Sequence, residues 1–170
     1  SRRARTLPHL RAAGQGALIS VSSVESRVAL PLHAAYSAGK HAVRGAMDAL
    51  RRDLIAEGAP VSVTTVRPAT INTPLFTSSR NRMDREPKGP PPAAPPQVVA
   101  ACVEHAAEHP VRDLLAGGAA AQMLAVEALA PRVMDLLLAK VAIRAESTRE
   151  RVPGGSPGNL DAPTSDDRVK

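Results

Sequence analysis

The 170-residue chain has almost no aromatic side chains: no tryptophan, one tyrosine (Tyr36) and one phenylalanine (Phe76). Bases would find no stacking platform here. The net charge of +6 comes from dispersed arginines, which read as solvated helix faces and not as a nucleic-acid footprint. Cysteine is limited to Cys102, which excludes an internal disulfide and suits a cytoplasmic protein. No apolar run approaches the roughly 18 to 20 residues that cross a bilayer. The basic start, SRRARTLPHLRAAG, lacks an apolar signal-peptide core. Cys102, His105 and His109 do not make a complete ligand set, so no metal is expected. A Gly-x-Ser-x-Gly elbow is also missing. That argues against a serine hydrolase built from Ser22 or Ser23 with His33 or His41 and Asp48 or Asp53.

Hydrophobic residues make up 44% of the chain and charged residues 22%, the balance of a soluble globular domain. GALISVSS (residues 16–23) is short, apolar and β-branched, and predicts a buried strand. Residues 34–57 carry Val43, Ala46, Met47, Leu50 and Leu54 at helical spacing, with Gly58 as the stop. VSVTTVR (61–67) predicts a second strand ended by Pro68. Strand, long helix, strand implies a parallel pair joined by a right-handed crossover. Residues 69–96 turn irregular, and REPKGPPPAAPP (85–96) is incompatible with helix or central strand. A helix over 97–109, a third strand within 111–118 and two helices flanking Pro131 follow. The Gly- and Pro-rich residues 151–170 predict a disordered tail.

Tyr36 and Lys40 stand four residues apart, on one helix face. A tyrosine with a pKa of about 10 is a poor base at neutral pH; a nearby ammonium favours the phenolate, which suits the pair to acid/base work. Ser22 and Ser23 end the first strand, and Thr70 and Thr73 follow the second. In open α/β sheets ligands bind beyond the carboxyl ends of the strands, so these side chains are expected to converge at one edge.

ISVSS, then YSAGK, then VRPATINT, with Ser23 thirteen residues before Tyr36, resembles the C-terminal part of a short-chain dehydrogenase/reductase. The resemblance implies an α/β fold: the C-terminal part of a Rossmann-like doubly wound parallel sheet, with additional C-terminal helices. It places the catalytic edge and substrate loop in residues 1–118, a helical extension in 119–150 and the tail in 151–170. It implies an NAD(P)-dependent oxidoreductase that interconverts a secondary alcohol and a ketone. Tyr36 would be the acid/base, Ser23 would bind the same substrate oxygen, and Lys40 would lower the phenol's pKa and bind the nicotinamide ribose. Tyr36, Lys40, Pro68, Ala69, Ile71 and Thr73 would hold the cofactor, NAD or NADP, and the stretch after Thr73 would cover the substrate. A homo-oligomer through the helix over 34–57 is also implied.

Two departures stand out. Ala69 replaces the family's glycine after Pro68, so the loop is expected to be altered. The Gly-xxx-Gly-x-Gly turn and the Asn-Asn-Ala-Gly segment are missing, and Gly14 to Gly16 precede a strand instead of following one. The chain is therefore expected to lack the cofactor-binding half and to be inactive alone. The alternative is a non-catalytic, dimerising module whose helical stripe (Val43, Ala46, Met47, Leu50, Leu54) faces a partner. Val133, Leu137, Leu138 and Val141, flanked by basic residues, could lie on a membrane surface over 132–146, though docking on the domain is the commoner use of such a stripe.

Overall fold

Twenty-three residues of unbroken helix separate two β-branched runs, a connection long enough for the crossover that parallel pairing needs. The computed structural model describes residues 2–82, 84–145, 147–151, 158, 159 and 161. Its elements run α1 (Arg2–Ala12), β1 (Gly16–Val21), a 3-10 turn (Val24–Ser26), α2 (Ala34–Ala56), β2 (Val61–Pro68), α3 (Leu75–Ser78), β3 (Arg85–Pro87), α4 (Pro96–Glu108), β4 (Asp113–Ala116), α5 (Gly118–Leu129), α6 (Pro131–Ala145) and β5 (Ser147–Arg151). One sheet has the order β1-β2-β4, with both pairings parallel.

β2 is central and almost wholly buried. β1 corrects the expectation of a buried strand: its residues are only partly buried, and Val21 is 49% exposed. Among the described residues β1 pairs with β2 alone, so it is an edge strand and cannot be covered as a central one is. At its start, α1 lies so close that a Cβ on Gly16 would meet Leu10 Cδ2 at 2.7 Å.

The core forms where α2 crosses the sheet. Met47 and Leu54 are fully buried against Val61 and Val63, with Val43, Leu50, Leu10 and Leu18 packed around them. Four of the five stripe residues, Val43, Met47, Leu50 and Leu54, thus pack on the sheet within this chain, while Ala46 is exposed. Gly58, at φ 64°, reverses the chain after α2, as glycine there permits.

Two ionic contacts register the layers. Asp48 on α2 bonds Arg51 Nη1 at 2.7 Å and Arg112 Nη2 at 3.3 Å, with Arg44 Nε at 3.7 Å. Arg51 also donates to the Val63 carbonyl at 2.9 Å. Burial would raise the Asp48 carboxyl, but the guanidinium groups outweigh it and hold it below the ordinary carboxylate range. Deeper in the sheet, Arg67 of β2, only 3% exposed, pairs with Asp113 of β4 at 2.8 Å.

Beyond β4 the outcome is mixed. Pro131 opens α6 as the sequence suggests. The buried face of α6 is Met134 and Ala142, however, while Val133, Leu137 and Val141 are about half exposed. The stripe over 132–146 is therefore turned one position from the face that docks. Residues 147–151 are not helical: β5 pairs antiparallel with β3, out of the stretch expected to be irregular. Both strands are short and polar and make up a sheet of only two strands, an arrangement of marginal stability by itself. The tail expected over 151–170 lies almost wholly outside the described residues.

Met47→Ala should cost about 2–5 kcal/mol in urea unfolding, whereas Leu137→Ser should stay within about 0.5 kcal/mol. Equal losses would refute the α6 face assignment. Asp48 is depressed in the folded state, so its contribution is present above the unfolded carboxylate pKa of about 3.9 and is lost as pH falls through the folded value. Asp48→Asn should flatten that acid loss in a series of urea midpoints against pH.

Candidate active site

Parallel pairing brings the ends of β1 and β2 to one edge. The Ser22 N–H donates to the Val66 carbonyl at 2.8 Å, which extends the ladder one residue past Val21 and buries both serines. Ser23 then caps the 3-10 turn. Its Oγ accepts from the Glu25 N–H at 3.1 Å, and its carbonyl accepts from Ser26 Oγ at 2.7 Å.

The first turn of α2 faces this turn. Tyr36 is 44% exposed, and its phenol lies close enough to the Ser23 hydroxyl to feel it electrostatically. Lys40 Nζ donates to the Ser22 carbonyl at 3.4 Å and stands over the Tyr36 ring, 5.3 Å from its centroid. Ser23, Tyr36 and Lys40 are therefore brought together, as expected. Their electrostatics are not as expected. Burial raises the Tyr36 phenol above its ordinary value; the Ser23 hydroxyl lowers it; the negative charge of Glu25 raises it again; the net shift is upward. Lys40 lies against the ring face and the Ser22 carbonyl, so the expected acidification of the phenol does not describe this structure. A phenol raised in this way keeps its proton at neutral pH and is poised as a donor.

Pro68 ends β2, and the Ala69 N–H donates to the Ala116 carbonyl at 3.1 Å. The next residues pair with the chain just before α4: Ala94 N–H donates to the Thr70 carbonyl and Asn72 N–H to the Ala94 carbonyl, both at 2.9 Å. This is a parallel bridge centred on Ile71. Its bonds come from the flanking residues, which leaves Ile71's own N–H and carbonyl outside it. Thr73 is exposed beside them. Among the described residues the one positive-φ non-glycine is Leu32 (φ 66°). Ala69 thus occupies backbone that any residue adopts.

The remaining sequence candidates disperse. His41 Nδ1 lies 2.9 Å from the Ser37 carbonyl, and Asp48 is held by arginines, so no Ser-His-Asp relay forms among the described residues. Gly14, at φ 68°, ends α1 and is no phosphate-binding turn. One residue was overlooked. Glu25, 6% exposed, accepts from Ser37 Oγ at 2.7 Å and contacts His33 Nδ1 at 3.1 Å. His33 caps α2 and meets the Tyr36 ring edge-on at 6.2 Å. The available signal was that Glu25 is the one carboxylate between Ser23 and Lys40.

A family model described as short chain dehydrogenase matches residues 3–84. The uncharacterized oxidoreductase YxnA of Bacillus subtilis is 35% identical over 127 residues, 74% of this chain. The chain belongs to the short-chain dehydrogenase family. A dehydrogenase/reductase SDR family protein 7-like of Anopheles gambiae is 32% identical over 150 residues, 84% of this chain. Among solved structures, a short chain dehydrogenase from Burkholderia cenocepacia in complex with NADP superposes with a TM-score of 0.64 at 27% identity, covering 77% of this chain and 51% of that one. This short-chain dehydrogenase sequence spans 36% of YxnA and 46% of the Anopheles protein, less than half of either.

Tyr36 is the only tyrosine and there is no tryptophan, so its phenolate absorbance can be followed directly. Its titration midpoint should lie above about 10, and Ser23→Ala should move it higher still by removing the hydroxyl that favours the phenolate. A midpoint that falls in Ser23→Ala would contradict the contact.

Proposed function

We propose that this chain supplies the catalytic edge of an NAD(P)-dependent oxidoreductase that interconverts a secondary alcohol and a ketone. The observation that carries the reading is the convergence of the Ser23 hydroxyl, the Tyr36 phenol and the Lys40 ammonium at the carboxyl edge of a parallel sheet. Ser23 Oγ accepts from the Glu25 N–H, which leaves its O–H to donate: toward the Tyr36 oxygen here and toward a substrate oxygen when one is bound. Tyr36, with its proton retained, donates to that oxygen as carbonyl becomes alcohol; in the reverse direction it must first lose the proton. The raised phenol therefore favours reduction at neutral pH. Lys40, fixed by the Ser22 carbonyl, presents its ammonium toward the same edge.

NAD or NADP fits the residues present at its nicotinamide end. Lys40 and Tyr36 would face the ribose, and Pro68, Ala69, Ile71 and Thr73 would line the ring. The unbridged amide groups of Ile71 and the exposed Thr73 hydroxyl support this. When bound, the cofactor supplies the hydride. The pyrophosphate has no glycine-rich strand-to-helix turn among these 170 residues. The unpaired edge of β1 is where further strands of such a sheet would add. A homo-oligomer through α2 would have to use the side away from Met47 and Leu54, where Ile55 is exposed.

On its own the 170-residue chain should bind NADH and NADPH weakly in a fluorescence titration and turn over no ketone; tight binding would refute this. In the whole protein carrying this sequence, Tyr36→Phe should lower ketone turnover by about 100-fold or more. Near-normal kcat in that variant would sink the acid/base assignment.

A further inference from the structure

Glu25 is a buried carboxylate that the reaction as described does not use. Its two ends touch different parts of the site. Its backbone N–H donates to Ser23 Oγ at 3.1 Å, while its carboxylate accepts from Ser37 Oγ at 2.7 Å and from His33 Nδ1 at 3.1 Å. Carboxylate oxygens can only accept, so Nδ1 carries the proton of that last bond. Ser37 follows Tyr36 directly, and His33 is the helix cap three residues before it. The phenol is thus flanked in sequence by both groups that grip Glu25. Other groups close the same joint: Lys40 donates to the Ser22 carbonyl and Arg44 to the Ser26 carbonyl, each at 3.4 Å. The remaining charged or titratable groups around the turn are His33 at the start of α2 and, lining the adjoining pocket, Arg27, Arg67, Asp113 and Glu127. Among these groups His33 is the one that reaches the carboxylate.

We propose that Glu25 is the positioning residue of this site: its carboxylate clamps the first turn of α2 to the turn after β1, sets Tyr36 against Ser23, and holds a negative charge beside the phenol. Two physical consequences follow, and this inference rests on the acid/base reading of Tyr36 only for the second. First, a negative charge beside a phenol disfavours the phenolate, in the direction found for Tyr36. Second, losing the clamp lets the phenol and the Ser23 hydroxyl drift apart, and small misplacements of reacting groups are costly.

Glu25→Gln keeps an acceptor for Ser37 and removes the charge. In the 170-residue chain it should move the Tyr36 absorbance titration to lower pH, with the far-ultraviolet circular dichroism unchanged. Glu25→Asp, which keeps the charge, should leave the midpoint high. In the whole protein Glu25→Ala should lower kcat on the order of 100-fold with little change in KM, and Gln should recover part of that loss. If Glu25→Ala loses its circular dichroism, Ser37→Ala is read in its place, since it removes the shortest contact without touching the turn. A Gln variant that titrates like the parent, or an Ala variant (Ser37→Ala where Glu25→Ala does not fold) with parental kcat, overturns the proposal. Failure of the acid/base reading looks different: Tyr36→Phe would stay active while the Glu25→Gln titration still shifted.

Discussion

The parallel pairing of β1 with β2 is the constraint on which the rest depends. A parallel ladder puts the ends of both strands at one edge, and the crossover helix between them must then begin at that edge. The ladder runs one residue past β1, through Ser22 and Val66, so the serines leave the sheet at a fixed height. α2 is fixed in turn by Met47 and Leu54 on Val61 and Val63. With the middle of α2 pinned to the sheet and its start clamped to the turn, Tyr36 has one place to stand. The site is a by-product of how the layers must pack.

Much of this was legible because it depends on periodicity and on breakers. The α2 stripe, the β-branched run of β2, Pro68 and Gly58 each state a local physical preference that the fold obeys. The order of Ser23, Tyr36 and Lys40 was legible for the same reason: residues at a strand end and on the first turn of the next helix meet whenever the strands are parallel. What could not be read was environment. Whether a strand is central or at an edge depends on its neighbours, so β1 reads as buried and is not. The face α6 docks is chosen by the surface it meets, and Met134 and Ala142 take it although Val133, Leu137 and Val141 are bulkier on the whole.

The sign of the Tyr36 shift illustrates the same limit at the scale of one group. Four residues along a helix bring an ammonium near a phenol, and proximity alone suggests acidification. The direction is decided by where that ammonium sits, how dry the site is, and what other charges are close. Lys40 rests on the ring face, burial acts first, and Glu25, twelve residues before Ser37 in the chain, supplies a charge no helix pattern announces.

The Arg67–Asp113 contact has a different kind of consequence. Asp113 lies opposite Thr65 in the β2–β4 pairing, two residues from Arg67's own partner Leu115, so the two charges meet along a diagonal. Sliding β4 along β2 by one step would turn Asp113 to the other face of the sheet, and sliding it two steps away from Arg67 would take it out of the guanidinium's reach. Either slip would strand a charge that is almost sealed from water, which is far more costly than the pair itself is favourable. The ion pair therefore acts less as an adhesive than as an indexing pin. It admits one alignment of a four-residue strand whose apolar contacts alone would tolerate several, and with it one position for the Ala116 carbonyl that receives the Ala69 amide.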